Sequence, residues 1–138
     1  MVVLYHYTSK EGATAIKRDK KIKKSVYSGG DASFGEGTYF TSLSPPKHTQ
    51  SMVVHNNWAV PRSLVDEVDR LRVEYVIQVT FPDDDPNLKR CESQRDIWLY
   101  AGSDVNLNYF DYKITEFSEF NSRKMVQRHG RYTPLICS

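Results

Sequence analysis

Residues 35–42 of the chain read Gly-Glu-Gly-Thr-Tyr-Phe-Thr-Ser and join a glycine-bounded loop to a short strand. From Thr38 to Thr41 the β-branched and aromatic side chains favour extended structure. The two glycines permit two interpretations: exposed backbone amides that cradle a phosphate, or a tight turn that requires positive φ. The stretch therefore predicts a loop, from about residue 25 to residue 38, that leads into an aromatic strand.

A strand and a helix precede this loop in the predicted order. The apolar residues at 2–5 predict a strand that runs to His6. Thr8, with Glu11 three residues later, matches a capping box, in which the first side chain caps a helix and the second reaches back to it. The sequence thus predicts a strand that runs directly into a helix.

Two helices are predicted after the aromatic strand. The consecutive prolines at 45–46 end that strand, and proline is tolerated at the first helical position, so a helix through residues 52–53 is expected. After Pro61, Ser63 is expected to cap a second helix. Its apolar residues recur at helical spacing and are the expected buried face: Leu64, Val65, Val68 and Leu71.

Three further strands complete the prediction. Residues 73–81 alternate between apolar and polar types, as a half-buried strand does. Residues 97–100 and 107–114 are rich in aromatic and β-branched types, and the turn-forming residues 101–104 between them suggest neighbouring strands. Because strands outnumber helices, the predicted class is α+β, with a twisted, largely antiparallel split sheet flanked by short helices.

Composition limits the classes of function. The 138 residues fit a single domain over 1–138. No run of about 18 apolar residues is present to cross a membrane, and the first residues lack the pattern of a signal peptide. The expected location is therefore the cytoplasm or a target cell into which the protein is delivered. Two cysteines, Cys91 and Cys137, and scattered histidines suggest no disulfide framework and no metal site.

Cationic residues cluster in two segments, 10–24 and 123–131. Such clusters can attract phosphates or nucleic acid. Solvated basic faces are the commoner explanation. The clusters alone therefore do not identify a partner.

Three features suggest a site: His6 at a strand end, the glycine-bounded loop before Tyr39, and the isolated acid Asp96 at the start of a strand. A histidine at a strand end is more often a structural residue than a catalytic one, and each feature by itself is weak. Their order along the chain, together with the local sequence, carries more information than any one of them.

Together these segments resemble the three motifs of the His-Tyr-Glu branch of the ADP-ribosyltransferases, the branch that contains the poly(ADP-ribose) polymerases. Residues 4–9, Leu-Tyr-His-Tyr-Thr-Ser, are similar to the first motif, although Tyr7 stands where the family usually has glycine. Residues 35–42 are similar to the second, and residues 95–109 to the third. Aspartate at 96 replaces the family's glutamate, and a His-Tyr-Asp triad marks a subgroup found largely in toxins and effectors.

The resemblance implies an ADP-ribosyltransferase-like fold that binds NAD+ and cleaves its nicotinamide–ribose bond. His6 would bind a ribose hydroxyl of the adenosine half, and Tyr39 would stack on the nicotinamide ring. Asp96 would bind the ribose hydroxyl beside the broken bond and stabilise the developing oxocarbenium ion. The residues implied as further NAD+ contacts are Tyr7, Thr8, Gly37, Phe40 and Ser42, with the backbone at Tyr7 holding the nicotinamide amide.

Other positions are assigned less directly. Gln94 lies two residues before Asp96, where another branch of these enzymes places a residue that recognises the acceptor. Gln50 stands where relatives often carry a second aromatic ring against nicotinamide, so a substitute is expected from Tyr7, Phe40 or Trp58. The pyrophosphate is expected near Lys23, Lys24 or the glycine loop, because these supply positive charge or free amides.

The leading hypothesis is a mono-ADP-ribosyltransferase, a toxin or effector that transfers one ADP-ribose from NAD+ to a protein or nucleic-acid acceptor, without a metal. If the chain is a toxin, an immunity protein is an expected partner. One alternative is an NAD+ glycohydrolase, in which water replaces the acceptor. Another is a non-catalytic module that binds ADP-ribose, NAD or nucleic acid.

Overall fold

The computed structural model describes residues 1–25 and 34–120. The predicted α+β class is confirmed, because short helices accompany antiparallel sheets in this part of the chain. In chain order the elements are β1 (Val2–Thr8), α1 (Lys10–Asp19), β2 (Lys21–Ile22), β3 (Gly37–Phe40), α2 (Gln50–Trp58), α3 (Glu67–Arg70), β4 (Tyr75–Phe81), β5 (Leu88–Arg90), β6 (Trp98–Ala101), β7 (Val105–Asn106) and β8 (Asp111–Glu116). Three short 3-10 helices lie at Arg62–Leu64, Leu71–Val73 and Leu107–Tyr109.

The strands form three small antiparallel sheets, ordered β1-β4-β8, β3-β6-β5 and β2-β7. A single bridge joins the first two sheets, because Tyr5 and Thr41 exchange both backbone hydrogen bonds, at 2.8 and 2.9 Å. Beyond this bridge β1 and β3 are not paired. The first and second motifs of the sequence therefore meet at this bridge, and a gap opens between β1 and β3 beyond it.

The core lies on both faces of β4. Ile77, Val79 and Phe81 are fully buried in one cluster, which also contains Leu4. Val76 points to the opposite face and packs in a second cluster with residues of α2. Burial of apolar surface on two faces stabilises β4, by about 25 cal/mol for each Å² removed from water.

Gly37 has a conformation that only glycine adopts without strain. Its φ is +153°, and a Cβ built there would lie 2.3 Å from the backbone oxygen of Tyr100 on β6. Its amide donates to Ser25 O at 3.1 Å, and its carbonyl accepts from Ser25 N at 2.8 Å. Of the two interpretations of Gly-Glu-Gly, the turn with positive φ is confirmed, since Gly35 also has φ +116°.

The first helix is capped one residue later than predicted. Ser9, not Thr8, is the N-cap, and its hydroxyl accepts from Gly12 N at 3.1 Å. Thr8 is still paired with Tyr75 as the last residue of β1. Strand pairing therefore outcompetes the capping box that the sequence pattern suggested.

The helix predicted at the prolines begins later. Residues 45–46 lie in a turn, and α2 starts at Gln50 with Thr49 as its N-cap, whose hydroxyl accepts from Met52 N at 3.2 Å. Proline disfavours helical backbone in the residue before it, which opposes a helix that starts at this pair. The Thr49 hydroxyl then supplies the acceptor that a helix start requires.

The second predicted helix is wrong in extent and in its buried face. Val65 is extended and separates the 3-10 helix Arg62–Leu64 from α3. Asp66 caps α3 by accepting from Asp69 N at 2.8 Å, which starts a new helix where the pattern predicted continuation. Val65 alone of the predicted apolar face is buried. The other three, Leu64, Val68 and Leu71, are 68%, 70% and 51% exposed.

The strands predicted at 97–100 and 107–114 are not neighbours. β6 pairs with β3 and β5, whereas β8 pairs with β4 in the other sheet. The segment between them forms β7, which pairs with β2, and a 3-10 helix. The strand predicted at 73–81 likewise starts later, at Tyr75, because Val73 ends a 3-10 helix.

Within residues 1–25 and 34–120, no helix is long and apolar enough to cross a membrane.

Candidate functional site

A cleft of about 520 Å³ opens where β1 and β3 separate. Its volume falls within the range of small-molecule sites, about 300–1,000 Å³. Strand β1, strand β3, the end of α2 and the chain leading into β6 form its walls. Most of its lining is aromatic or otherwise apolar: Tyr5, His6, Tyr7, Ser25, Phe34, Tyr39, Phe40, Asn57, Trp58, Ala59, Arg95 and Ile97.

His6 lines the cleft as a neutral ring with a defined tautomer. Its Nδ1 lies 2.8 Å from the carbonyl oxygen of Tyr39. A carbonyl only accepts, so Nδ1 carries the proton and donates, and Nε2 is left as an acceptor. Burial lowers the pKa of His6, and the hydrogen bond to Tyr39 opposes this only in part. At neutral pH the ring therefore offers a lone pair to a hydroxyl donor.

The Tyr39 ring lines the cleft and is held in place by the hydrogen bonds of its hydroxyl group. Its hydroxyl donates to Gly35 O at 2.5 Å and accepts from Phe34 N at 2.9 Å. Its backbone carbonyl holds His6, as described above. Two of the predicted triad residues, His6 on β1 and Tyr39 on β3, are thus brought together by this hydrogen bond. A flat aromatic face in this position suits stacking against a planar ring.

Tyr7 presents an unpaired backbone edge to the gap between the sheets. In an antiparallel pair, hydrogen bonds point to alternate sides along a strand, so the Tyr7 N–H and C=O point to the same side as those of Tyr5. Tyr5 is paired there with Thr41, whereas β3 does not pair with Tyr7. The Tyr7 side chain is buried and its hydroxyl donates to Leu43 O at 2.6 Å. The side chain therefore does not cover the backbone N–H and C=O of Tyr7 that face the gap.

Asp96 is not among the residues that line the cleft, although Arg95 and Ile97 on either side of it are, and its carboxylate bonds to the end of β3. Oδ1 accepts from Ser42 N at 2.8 Å and from the Thr41 hydroxyl at 3.2 Å, and Oδ2 accepts from the Ser42 hydroxyl. An ionised carboxylate has about four acceptor positions. Roughly one therefore remains for another donor.

The other predicted contacts fall into two groups. Tyr7 and Phe40 line the cleft, although Phe40 also packs against Phe81 in the core with ring centroids 5.2 Å apart. Thr8, Gly37 and Ser42 are not among the lining residues. Thr8 ends β1, Gly37 is engaged with Ser25, and Ser42 binds Asp96. The acceptor candidate Gln94 is exposed two residues from Asp96.

Of the other aromatic and charged candidates, Trp58 and not Gln50 reaches the cleft. Trp58 is also in contact with the Arg72 guanidinium, 5.2 Å from the ring centroid. Lys23 and Lys24 are exposed and do not line the cleft, whereas Arg95 does. Arg95 was not singled out from the sequence, where one arginine in a charged segment gives no signal.

Two features of the candidate set concern metals and thiols. Within the described ranges, no group of three or more histidine, cysteine or acidic side chains could hold a metal ion. Cys91 is a buried free thiol, and burial raises its pKa, which suppresses the reactive thiolate. Cys137 and the basic segment 123–131 lie outside the described residues.

Comparison with known proteins agrees with the class of protein that this cleft suggests, an ADP-ribosyltransferase domain. Residues 4–107 match the toxin-type family described as "HYD1 signature containing ADP-ribosyltransferase", and the chain belongs to this family. The matched region includes the first two candidate motifs, residues 95–107 of the third, and the whole lining of the cleft. No curated protein and no solved structure matches the chain significantly.

Proposed function

We propose that the chain binds NAD+ in the cleft, cleaves the bond between nicotinamide and ribose, and transfers a single ADP-ribose to a macromolecule. The observation that carries the proposal is the neutral His6 beside Tyr39 at the gap between β1 and β3, in a member of an ADP-ribosyltransferase family. A dinucleotide needs a hydroxyl acceptor, a stacking face and an amide-binding edge, and the cleft supplies all three.

The nicotinamide end would bind at Tyr39 and Tyr7. The carboxamide of nicotinamide has one donor group and one acceptor group, which the open N–H and C=O of Tyr7 match. The Tyr39 ring would stack on the cationic pyridinium, an interaction worth about 1–2 kcal/mol when desolvated. We assign Trp58 as the second aromatic ring against nicotinamide, because it lies in the lining of the same cleft.

The adenosine end would bind at His6, whose free Nε2 accepts a ribose hydroxyl. Among the lining residues that the structure describes, Arg95 is the one cationic side chain, and we assign it to the pyrophosphate in place of Lys23 and Lys24. Fixing the dinucleotide at both ends leaves the glycosidic bond held between them. Such orientation is a large part of catalysis when a leaving group must depart from one defined face.

Asp96 would act on the chemical step. As nicotinamide leaves with the bonding electron pair, the ribose carbon becomes an oxocarbenium ion, which a nearby carboxylate stabilises. The acceptor nucleophile then bonds to that carbon and loses its proton to solvent. The remaining acceptor position of Asp96 would bind the neighbouring ribose hydroxyl, while Thr41 and Ser42 hold the carboxylate in place.

The test is nicotinamide release from NAD+ by the wild type, by Asp96→Asn, and by Asp84→Asn as a matched change at an exposed acid. Losing the charge at 96 should lower kcat by about 10²–10³-fold, as removal of one transition-state contact does. Asp84→Asn should behave as the wild type does. Equal rates in Asp96→Asn and the wild type would exclude the assigned role of Asp96.

Labelled NAD+ in the presence of cell extract identifies the acceptor class. Label that protease removes indicates a protein acceptor, and label that nuclease removes indicates a nucleic acid. Release of nicotinamide without any labelled macromolecule would replace transfer with NAD+ hydrolysis. Binding of NAD+ without release would leave only the non-catalytic module.

A further inference from the structure

Asn56 is the only amide side chain among the buried polar residues of the described part of the chain, where it is 7% exposed. It lies in the last turn of α2, just before three residues that line the cleft. A buried amide is expensive unless its donors and acceptor are satisfied. Its partners therefore indicate what it is there to hold.

Asn56 binds both backbone groups of Asp96. Its Oδ1 accepts from Asp96 N at 2.7 Å, and its Nδ2 donates to Asp96 O at 2.8 Å. An amide N–H only donates and a carbonyl only accepts, so the orientation of the Asn56 amide is fixed by its partners. The side chain thus takes the place of a neighbouring strand at a residue that lies two positions before β6.

The same amide also reaches the carboxylate of Asp96 through one intermediary. Asn56 Nδ2 also donates to Asn57 Oδ1 at 2.9 Å and lies 3.2 Å from the Thr41 hydroxyl oxygen, the longest of its three contacts. That hydroxyl donates to Asp96 Oδ1 at 3.2 Å. Because the amide engages the hydroxyl oxygen as an acceptor, the hydroxyl proton is directed to the carboxylate. Asn56 therefore constrains both the backbone and the side-chain direction of the acid.

The backbone of Asn56 also binds Arg95, the cationic side chain in the lining of the cleft. Its carbonyl accepts from the Arg95 guanidinium at 3.1 Å. Two consecutive residues, Arg95 and Asp96, are thereby held by one residue of α2. The wall that carries Asn57 and Trp58 cannot shift relative to the acid without breaking these hydrogen bonds.

We propose that Asn56 is a positioning residue that sets Asp96 for the chemical step. This inference rests on the proposed function, since it assigns Asn56 a role in the reaction that Asp96 supports. Asn56 is itself absent from the cleft lining, so its removal should lower the rate of bond cleavage while NAD+ still binds. A displacement of about 1 Å in a reacting group can lower a rate by about 10²-fold.

The principal variant is Asn56→Leu, which keeps a similar volume and removes every polar atom of the amide. Its matched control is Asn108→Leu, the same change at an exposed asparagine of the 3-10 helix before β8. We expect Asn56→Leu to lower kcat for nicotinamide release by about 10–100-fold. The dissociation constant of a non-hydrolysable NAD+ analogue should change by less than about threefold. Asn108→Leu should alter neither.

Thr41→Val provides a second variant if Asn56→Leu does not fold. It replaces the intermediary hydroxyl with a methyl group of the same shape, and it should lower kcat without weakening the analogue. In either variant, an unchanged kcat would overturn the proposal. A parallel loss of kcat and analogue affinity would do so as well, because it would indicate a collapsed site in place of a misplaced acid.

Amide hydrogen exchange at Asp96 tests the positioning independently of catalysis. The Asp96 N–H is protected by Asn56 Oδ1, so exchange there should become faster in Asn56→Leu and stay unchanged in Asn108→Leu. If the wild type releases no nicotinamide, the proposed function fails, while this measurement still decides whether Asn56 holds Asp96. Unchanged protection in Asn56→Leu would exclude that role.

Discussion

The strand wall of the cleft, made of β1, β3 and β6, and the helical wall, residues 50–73, are fixed by different interactions. The strands are held by backbone pairing in register and by side chains packed on both faces of β4. The helical wall meets the site through side-chain hydrogen bonds, chiefly those of Asn56. Both walls contribute to the core, since Val53 and Val54 of the helical wall are fully buried, but the strand wall adds backbone pairing, and the setting of the acid depends on the helix.

The largest expected effect comes from breaking the core beneath the strand wall. Phe81→Ala removes a fully buried ring from β4 and should lower the free energy of unfolding by about 3–5 kcal/mol. Denaturant unfolding measures the change. Tyr109→Ala, the loss of a ring that is 80% exposed, is the control and should have little effect. Similar losses in both variants would contradict a core centred on β4.

An intermediate effect is expected from pH, because His6 is the histidine of the strand wall. Burial lowers its pKa in the folded state, so the unfolded chain takes up a proton first as pH falls. The stability contributed by the neutral ring is complete above its ordinary pKa of about 6.5 and is lost as pH falls through the folded value. Each unit by which the pKa is lowered corresponds to about 1.4 kcal/mol.

Unfolding at several pH values between about 5 and about 8 tests this expectation. His6→Gln should flatten the decline in stability below pH 6.5 or so. His55→Gln, a change at an exposed histidine of the helical wall, should leave the decline unchanged. A decline that persists in His6→Gln would assign the pH dependence to other groups.

The smallest effect is expected in the helical wall itself. Val68→Ala should change the free energy of unfolding by no more than about 0.5 kcal/mol, because the side chain is 70% exposed. Val65→Ala, at a buried position of the same segment, should cost more. If Val68→Ala were the more damaging change, the regular amphipathic helix expected from the sequence would be the better description of this wall.

The contrast between the walls also explains what the sequence could predict. Strands β1, β3 and β4 follow from local alternation and from glycine placement, so their existence was predictable. His6 and Tyr39 were predicted from the motifs that contain them. The extent of the helices in residues 50–73 was not predictable. Thr49 and Asp66 each start a helix through a single side-chain cap, and these caps override the spacing of the apolar residues. Strand partners also depend on long-range packing, so the separation of β6 from β8 left no local signal.

The site was predicted in part for the same reason. The motifs predicted His6, Tyr39 and Asp96 as site residues, and that assignment stays a prediction. The partners of Asp96 come from residues 40 or more positions away in the sequence, and Asn56 and Arg95 carry no pattern of their own. Whether Thr8, Gly37, Ser42 and Gln94 contact NAD+ or an acceptor stays a prediction. In the structure Ser42 binds the carboxylate of Asp96 directly, a role that the sequence did not predict.

The tautomer of His6 has a consequence for the choice between dinucleotides. Because Nδ1–H is committed to the Tyr39 carbonyl, the ring presents only a lone pair to its ligand. A ribose hydroxyl brings the proton that this nitrogen needs, whereas the 2'-phosphate of NADP+ brings negative charge and further lone pairs. The histidine that would receive NAD+ would thus reject its phosphorylated counterpart by repulsion, a form of selectivity that needs no additional residue.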